Sequence, residues 1–121
     1  MTASNIHLQR AYDDPTADDG YRVLVDRIWP RGCSKDELRI DAWHKDLAPS
    51  TVLRRWFGHD PARWEEFRAR YLGELRAADL GDLPERCRAG AVTLVFGAKD
   101  ERHNNAVVLK QYLARHEDDR T

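Results

Sequence analysis

Three cations follow one another at four-residue spacing, Arg27, Arg31 and Lys35, just where the apolar run Val23-Leu24-Val25 gives out. Guanidinium groups suit planar, bidentate contacts to carboxylate or phosphate, and an ammonium group acts as a point charge. Cations at the end of a buried strand are the usual furniture of an α/β ligand site. Asp26 and Trp29 lie in the same stretch, and an indole there could stack on a base or sugar. A second apolar run, Ala91-Val92-Thr93-Leu94-Val95-Phe96, is followed by Asp100, His103 and Asn104. Asp100 and His103 stand one helical turn apart, so the carboxylate could orient the imidazole. The imidazole could then act as a base or polarise a carbonyl, with Asn104 positioning substrate. Each residue also has a plain role. The cations could pair with Asp26, Asp36 or Asp46, Asp100 could cap a helix, His103 could satisfy a hydrogen bond, and Trp29 could belong to the core.

Two weaker patterns carry less. Cys33 and Arg39 have the cysteine-x5-arginine spacing of tyrosine phosphatases, but Asp36 and Glu37 stand between them and no glycine does. A phosphate cradle needs small residues and an electropositive setting, so phosphatase chemistry is disfavoured. His59-Asp60 resembles half a metal motif, yet Asp60 followed by Pro61 reads better as a helix cap. Asp26, Asp100 and His103 could hold a divalent ion only if they converge. The sequence implies no cofactor.

The elements that must position these residues are legible from periodicity. Ile6 to Arg10 alternates as a half-buried strand. Tyr21 to Ile28 reads as a strand covered on both faces, with pairing ended near Trp29 by Pro30. Ser34 and Glu37 form a capping box for one helical turn, Lys35 to Leu38, while Ile40 to Lys45 reads equally as short strand or coil. Ser50 caps a helix through Phe57, stopped by Gly58. Asp60-Pro61 starts a helix to about Ala77 with Trp64, Phe67, Tyr71 and Leu75 on one stripe and Glu66 paired with Arg70 outside. A short helix over Leu80 to Arg88 precedes the central strand, Ala91 to Phe96. Asp100 is expected to cap the last helix, about Glu101 to Arg115, with Val108, Leu109, Tyr112 and Leu113 facing inward.

A chain of 121 residues with 41% apolar residues can bury a core without a metal or disulfide staple. Its 20 basic and 21 acidic residues nearly cancel, whereas a nucleic-acid module would show a basic excess. The two cysteines lack metal or disulfide spacing, no apolar run approaches the ~20 residues of a membrane span, and no signal peptide is visible. A reduced, cytoplasmic protein is the expectation.

Several of these stretches together resemble a known family. They are Val23-Leu24-Val25-Asp26-Arg27-Ile28-Trp29-Pro30-Arg31-Gly32, Trp43-x-Lys45-Asp46-Leu47-Ala48-Pro49-Ser50, Leu53-Arg54-x-Trp56-Phe57-x-His59-Asp60-Pro61, and Asp100-x-x-His103-Asn104. The family is the domain-of-unknown-function 488 (DUF488) family, in its YeaO-like branch of small bacterial and archaeal proteins. The resemblance spans nearly the whole chain and implies a small α/β fold with no established activity. Some relatives carry a transcription-regulator label, but no helix-turn-helix pattern is legible here. Many members of the broader family have a full helix between the first two strands, where this chain has a short acidic loop. They also share a Cys-Glu and later Cys-His-Arg pattern after the last strand. Here that region reads Ala98-Lys99-Asp100 and His103-Asn104-Asn105, so thiol chemistry inferred for those relatives does not carry over.

The expected architecture is a small single α/β domain over residues 1–116, a mostly parallel central sheet flanked by helices, with a frayed tail at 117–121. If the two apolar strands are parallel, their C-terminal ends share one sheet edge. Asp26, Arg27, Trp29, Arg31 and Lys35 would then stand beside Asp100, His103 and Asn104. The expected function is binding of a small anionic metabolite (phosphate, nucleotide or carboxylate) there, with His103 as the acid or base if a reaction occurs. The alternative is a non-enzymatic regulatory or protein-interaction module, with nucleic acid and membrane disfavoured as partners. A homo-oligomer is compatible with the sequence.

Overall fold

The structure, a computed structural model, describes residues 5–119. The chain runs β1 (Ile6–Arg10), β2 (Tyr21–Leu24), α1 (Lys35–Leu38), β3 (Ala42–Trp43), α2 (Thr51–Phe57), α3 (Trp64–Ala77), α4 (Leu83–Ala89), β4 (Val92–Phe96) and α5 (Asn105–Asp119). Among the described residues the four strands form one sheet in the order β1-β4-β2-β3. Every pairing is parallel, with Leu8 opposite Leu94, Val23 opposite Leu94 and Leu24 opposite both Val95 and Trp43. The first two strands therefore never pair. β4, the most apolar strand and buried at all five positions, lies between them.

Alternation along the strands sorts side chains to two faces. Ile6, Val23, Val25, Val92, Leu94 and Phe96 join the larger core with Phe57 of α2, the Phe67-Tyr71-Leu75 stripe of α3, Cys87 of α4, and Ala106, Val108, Leu109 and Leu113 of α5. Leu24 and Val95 face the other way, into a smaller cluster with Ala11 and Leu38, edged by Trp29, Cys33, Ile40 and Trp43. The same smaller face carries a polar network. Arg22, 4% exposed, donates to Asp19 at 2.7 Å, to the Leu38 carbonyl and to Gln9. Burial opposes the charge on Asp19, but hydrogen bonds from Thr16 and the Arg22 guanidinium hold its carboxyl below the ordinary value.

Local signals act where the spacing places them. The Ser34 and Glu37 capping box forms, Ser50 accepts from the Leu53 N–H, and Asp60 accepts from Ala62 with Pro61 at the first turn. Glu66 pairs with Arg70. Gly20 is required by geometry: at φ +66° a side-chain carbon there would lie 2.2 Å from the Ala91 carbonyl oxygen. That close approach lets β2 begin directly against β4, with the Tyr21 N–H donating to the same carbonyl at 3.0 Å.

α4 begins at Leu83 rather than Leu80, and α3 at Trp64 after a 3-10 turn over Pro61–Arg63. Two further differences bear on the site. β2 ends at Leu24, not near Trp29, because side chains replace the ladder beyond Val25. The Asp26 carboxylate takes the Gly97 N–H at 2.8 Å, and the Val25 carbonyl accepts from Asn105. α5 begins at Asn105 rather than about Glu101, because Asn104, not Asp100, caps it: its side-chain oxygen accepts from the Val107 N–H at 3.1 Å. The α5 backbone is helical through Asp119, into the tail expected at 117–121. Residues 120 and 121 lie outside the described residues. No helix among the described residues is long and apolar enough to cross a membrane.

Candidate functional site

A cavity of about 220 Å³ opens at the C-terminal edge of β2 and β4. Parallel strands make this edge: β2 delivers Asp26, Arg27 and Ile28 to it, while β4 delivers Gly97 and Ala98 and the following turn delivers His103, Asn104 and Asn105. Ala48, Pro49, Arg54, Phe57 and His59 close it from the α2 side, and Phe67 of α3 backs it.

Asp26 anchors the assembly. One carboxylate oxygen accepts from Gly97 N at 2.8 Å, the other from Asn105 Nδ2 at 3.2 Å, and its backbone carbonyl accepts from Trp43 Nε1 at 2.7 Å. Burial pushes its carboxyl above the ordinary value, against those hydrogen bonds and the nearby charges of His59 and Arg54, which pull it down. Arg27 reaches the carbonyls of Pro49 and Ala48 at 3.3 and 3.4 Å, bracing the guanidinium across the rim. Arg54 makes no side-chain hydrogen bond or ion pair among the described residues and is exposed on α2. His59 holds φ +57°, a left-handed conformation that costs a non-glycine residue on the order of 1 kcal/mol. Its ring rests 6.3 Å from that of Phe57, at the cavity mouth.

On the opposite wall, Asp100 closes a turn by accepting from the Arg102 and His103 N–H groups, and its second oxygen lies 2.9 Å from His103 Nδ1. The Arg102 bond first, then the His103 side chain, hold the Asp100 carboxyl below its ordinary value. The His103 ring also meets Trp64 edge-on at 5.2 Å. With Nδ1 turned to the carboxylate, Nε2 is the ring nitrogen left for other partners. Asn104 lines the cavity, but both ends of its amide are engaged within the chain, with the Asp100 carbonyl and the Val107 N–H.

The structure thus brings Asp26, Arg27, His103 and Asn104 together, with Asp100 behind His103. It does not bring Trp29, Arg31 or Lys35 to that cavity. Past Ile28 the chain crosses to the other face of the sheet. Trp29 packs edge-on against Trp43 at 5.3 Å and donates to the Cys33 carbonyl. The Arg31 carbonyl accepts from Tyr12, and Arg31 and Lys35 are exposed. A groove of about 470 Å³ on that side is lined by Asp13, Asp14, Asp36 and Glu37 against one cation, Arg39, among the described residues, the wrong balance for an anion. Cys33 lines it too, and burial, then the Glu37 carboxylate, push its thiol up rather than activating it. Arg54, His59 and Asn105 belong to the cavity without having been singled out as anion or substrate ligands. Arg54 and His59 stand inside the Leu53-to-Pro61 motif, which is the signal that could have marked them.

Among the described residues the lining contains no serine, threonine, cysteine, tyrosine or lysine. Among the described residues no three histidine, cysteine or acidic side chains gather to hold a metal ion, so Asp26, Asp100 and His103 do not converge on one.

Comparison with known proteins bears on this site. A family model described as the inactive DUF488-N3 subclade matches residues 5–121. An uncharacterised protein of Mycobacterium tuberculosis is 43% identical over 111 residues, covering 91% of this chain and 94% of its own. A Mycobacterium bovis protein matches to the same extent. The uncharacterised protein YeaO of Escherichia coli is 40% identical, over 90% of this chain and 96% of its own. No solved structure matches.

Proposed function

The chain belongs to the DUF488 family, in the subclade described as inactive, and on that premise we propose that its strand-end cleft binds a small anion without transforming it. One observation carries the reading: two guanidinium groups and two imidazoles surround a single cavity whose described lining offers no hydroxyl, thiol or amine nucleophile. Arg54 is the primary anion ligand, because its guanidinium is uncommitted, and Arg27 is the braced second donor. The volume suits a fragment-sized ligand, a phosphate or short carboxylate, rather than a drug-sized molecule, whose pockets run from roughly 300 Å³ upward. A binding module of this kind would act as a sensor or regulator.

Thermal shift with inorganic phosphate, short carboxylates and nucleoside monophosphates tests the reading. A ligand at about 100 times its Kd stabilises by about 2.7 kcal/mol and raises Tm by several degrees. Arg54→Ala should abolish that rise. A flat response to the whole panel would discard the proposal.

A second reading is favoured by the Asp100–His103 hydrogen bond alone, which orients an imidazole as a general acid or base would require. It is separated from the first by His103→Gln. If the cleft only binds, the variant should retain anion affinity within about threefold, whereas turnover of a bound ester or carbonyl compound that His103→Gln eliminates would establish catalysis.

A further inference from the structure

The cleft is not uniformly cationic, and this asymmetry narrows the ligand. Asp26 lines it beside Arg27, Arg54 and His59. A carboxylate offers about four lone-pair positions. Gly97 N and Asn105 Nδ2 take one on each oxygen, and no other donor reaches the carboxylate among the described residues. The group is also rigidly held, since its own backbone carbonyl is fastened to Trp43 and the Val25 carbonyl before it to Asn105. A bare phosphate or simple carboxylate filling the cavity would set like charge against Asp26 while leaving its remaining acceptor capacity unused. A ligand that adds a hydrogen-bond donor to its anionic end satisfies both halves of the site.

We propose, building on the anion-binding reading above, that the cleft selects a small anion carrying a hydroxyl or ammonium group close to its charge. Arg54 and Arg27 take the carboxylate or phosphate, and Asp26 accepts from the donor. A hydroxycarboxylate, an amino acid or a short phosphate ester with a free hydroxyl has this shape, and each is of the size the 220 Å³ cavity admits. Asp26 is then the specificity-determining residue. A site built around a hydrogen-bond acceptor discriminates against an analogue that lacks the matching donor.

Matched pairs test this by isothermal titration on the full chain. Propionate is compared with lactate and alanine, and propyl phosphate with glycerol phosphate. At least one donor-bearing member should bind about tenfold more tightly than its partner. The carboxylate and phosphate arms show which anionic end is used. Asp26→Asn, checked for native circular dichroism, should shrink that ratio to within about threefold, and should tighten binding of the simple anion because the like charge is gone. The wild-type ratio stands by itself if that variant does not fold. Equal affinity within each pair would overturn the inference while leaving anion binding intact. So would equal affinities that rise together as pH falls, since Asp26 would then be donating a proton to the anion. No binding by any member, or by inorganic phosphate, would overturn both.

Discussion

Val23 and Val25 point to one face of the sheet and Leu24 to the other, and the two faces are covered by very different amounts of chain. On the first, four helices bury a continuous core from Ile6 to Leu113, including the stacked rings of Phe57 and Phe67 at 4.2 Å. On the second, a four-residue helix and two tryptophans cover a small cluster, and the buried Arg22 joins Asp19 to the Leu38 carbonyl beside it. The candidate site sits on the well-covered side, where α2, α3 and the turn before α5 supply walls. The other side, with the same local density of cations in sequence, offers an acidic groove. Cationic residues near a strand end are thus insufficient for a site. What separates the two sides is the lining, which is cationic with one carboxylate on the deep side and mostly acidic on the thin one.

Truncating the deep core should have the largest effect. Phe67→Ala should cost about 3–5 kcal/mol in urea unfolding. A loss below about 2 kcal/mol would mean that the helical face is not the main source of stability. On the thin face, Arg22→Met should cost about 3 kcal/mol, because Asp19 would be left buried without its partner. If that variant proves neutral or more stable, the polar network is dispensable and the face is held by Leu24, Leu38 and Val95. Ser34→Ala removes the cap of α1 and should lower stability by about 1 kcal/mol. A larger drop would show that this short helix carries more of the thin face than its one buried leucine suggests.

A pH series probes the deep side through Asp26. Its carboxyl is raised in the folded state, so between the ordinary and raised values the unfolded chain has already released the proton that the folded chain retains. Stability from this group is therefore complete below the ordinary carboxyl range, about pH 4, and is lost as pH rises through the raised value. Asp26→Asn should remove this fall, so the difference in unfolding free energy between variant and wild type should move in favour of the variant as pH rises from ~3 to 7. A flat difference would place Asp26 in a solvated setting, and an opposite slope would show that its hydrogen bonds and the charges of His59 and Arg54 outweigh burial. The smallest effect belongs to Arg31→Ala, which should change stability by less than about 0.5 kcal/mol and leave anion-induced thermal shifts intact. If the shifts disappear, the ligand lies on the thin face and the comparison is reversed.

Local rules were readable residue by residue. The Ser34–Glu37 box, the Ser50 cap, the Asp60-Pro61 start and the Phe67-Tyr71-Leu75 stripe all depend on neighbours within a few positions, and each forms where spacing places it. A long helical stretch between the two apolar runs left room for a crossover, and β2 and β4 are indeed parallel. The end of β2 and the start of α5 were not readable, because Asp26 and Asn105 complete one another across about eighty positions. Asp100 and Asn104 are both good caps, and only the path of the turn over the sheet edge selected Asn104.

Amino-acid order by itself determined the family, the α/β class and the buried central strand, and it made the meeting of Asp26 and Arg27 with His103 and Asn104 conditional on parallel strands. These follow from hydrophobic period and from motifs short enough to be self-contained. Tertiary structure alone decided that Trp29, Arg31 and Lys35 leave for the opposite face and that Arg54 and His59 take their place. The physical reason is that the chain crosses the sheet edge after Ile28, held by Trp43 and Tyr12, residues remote in sequence. Charges four positions apart share a side on a helix or along a strand, and between Leu24 and Lys35 this stretch is neither.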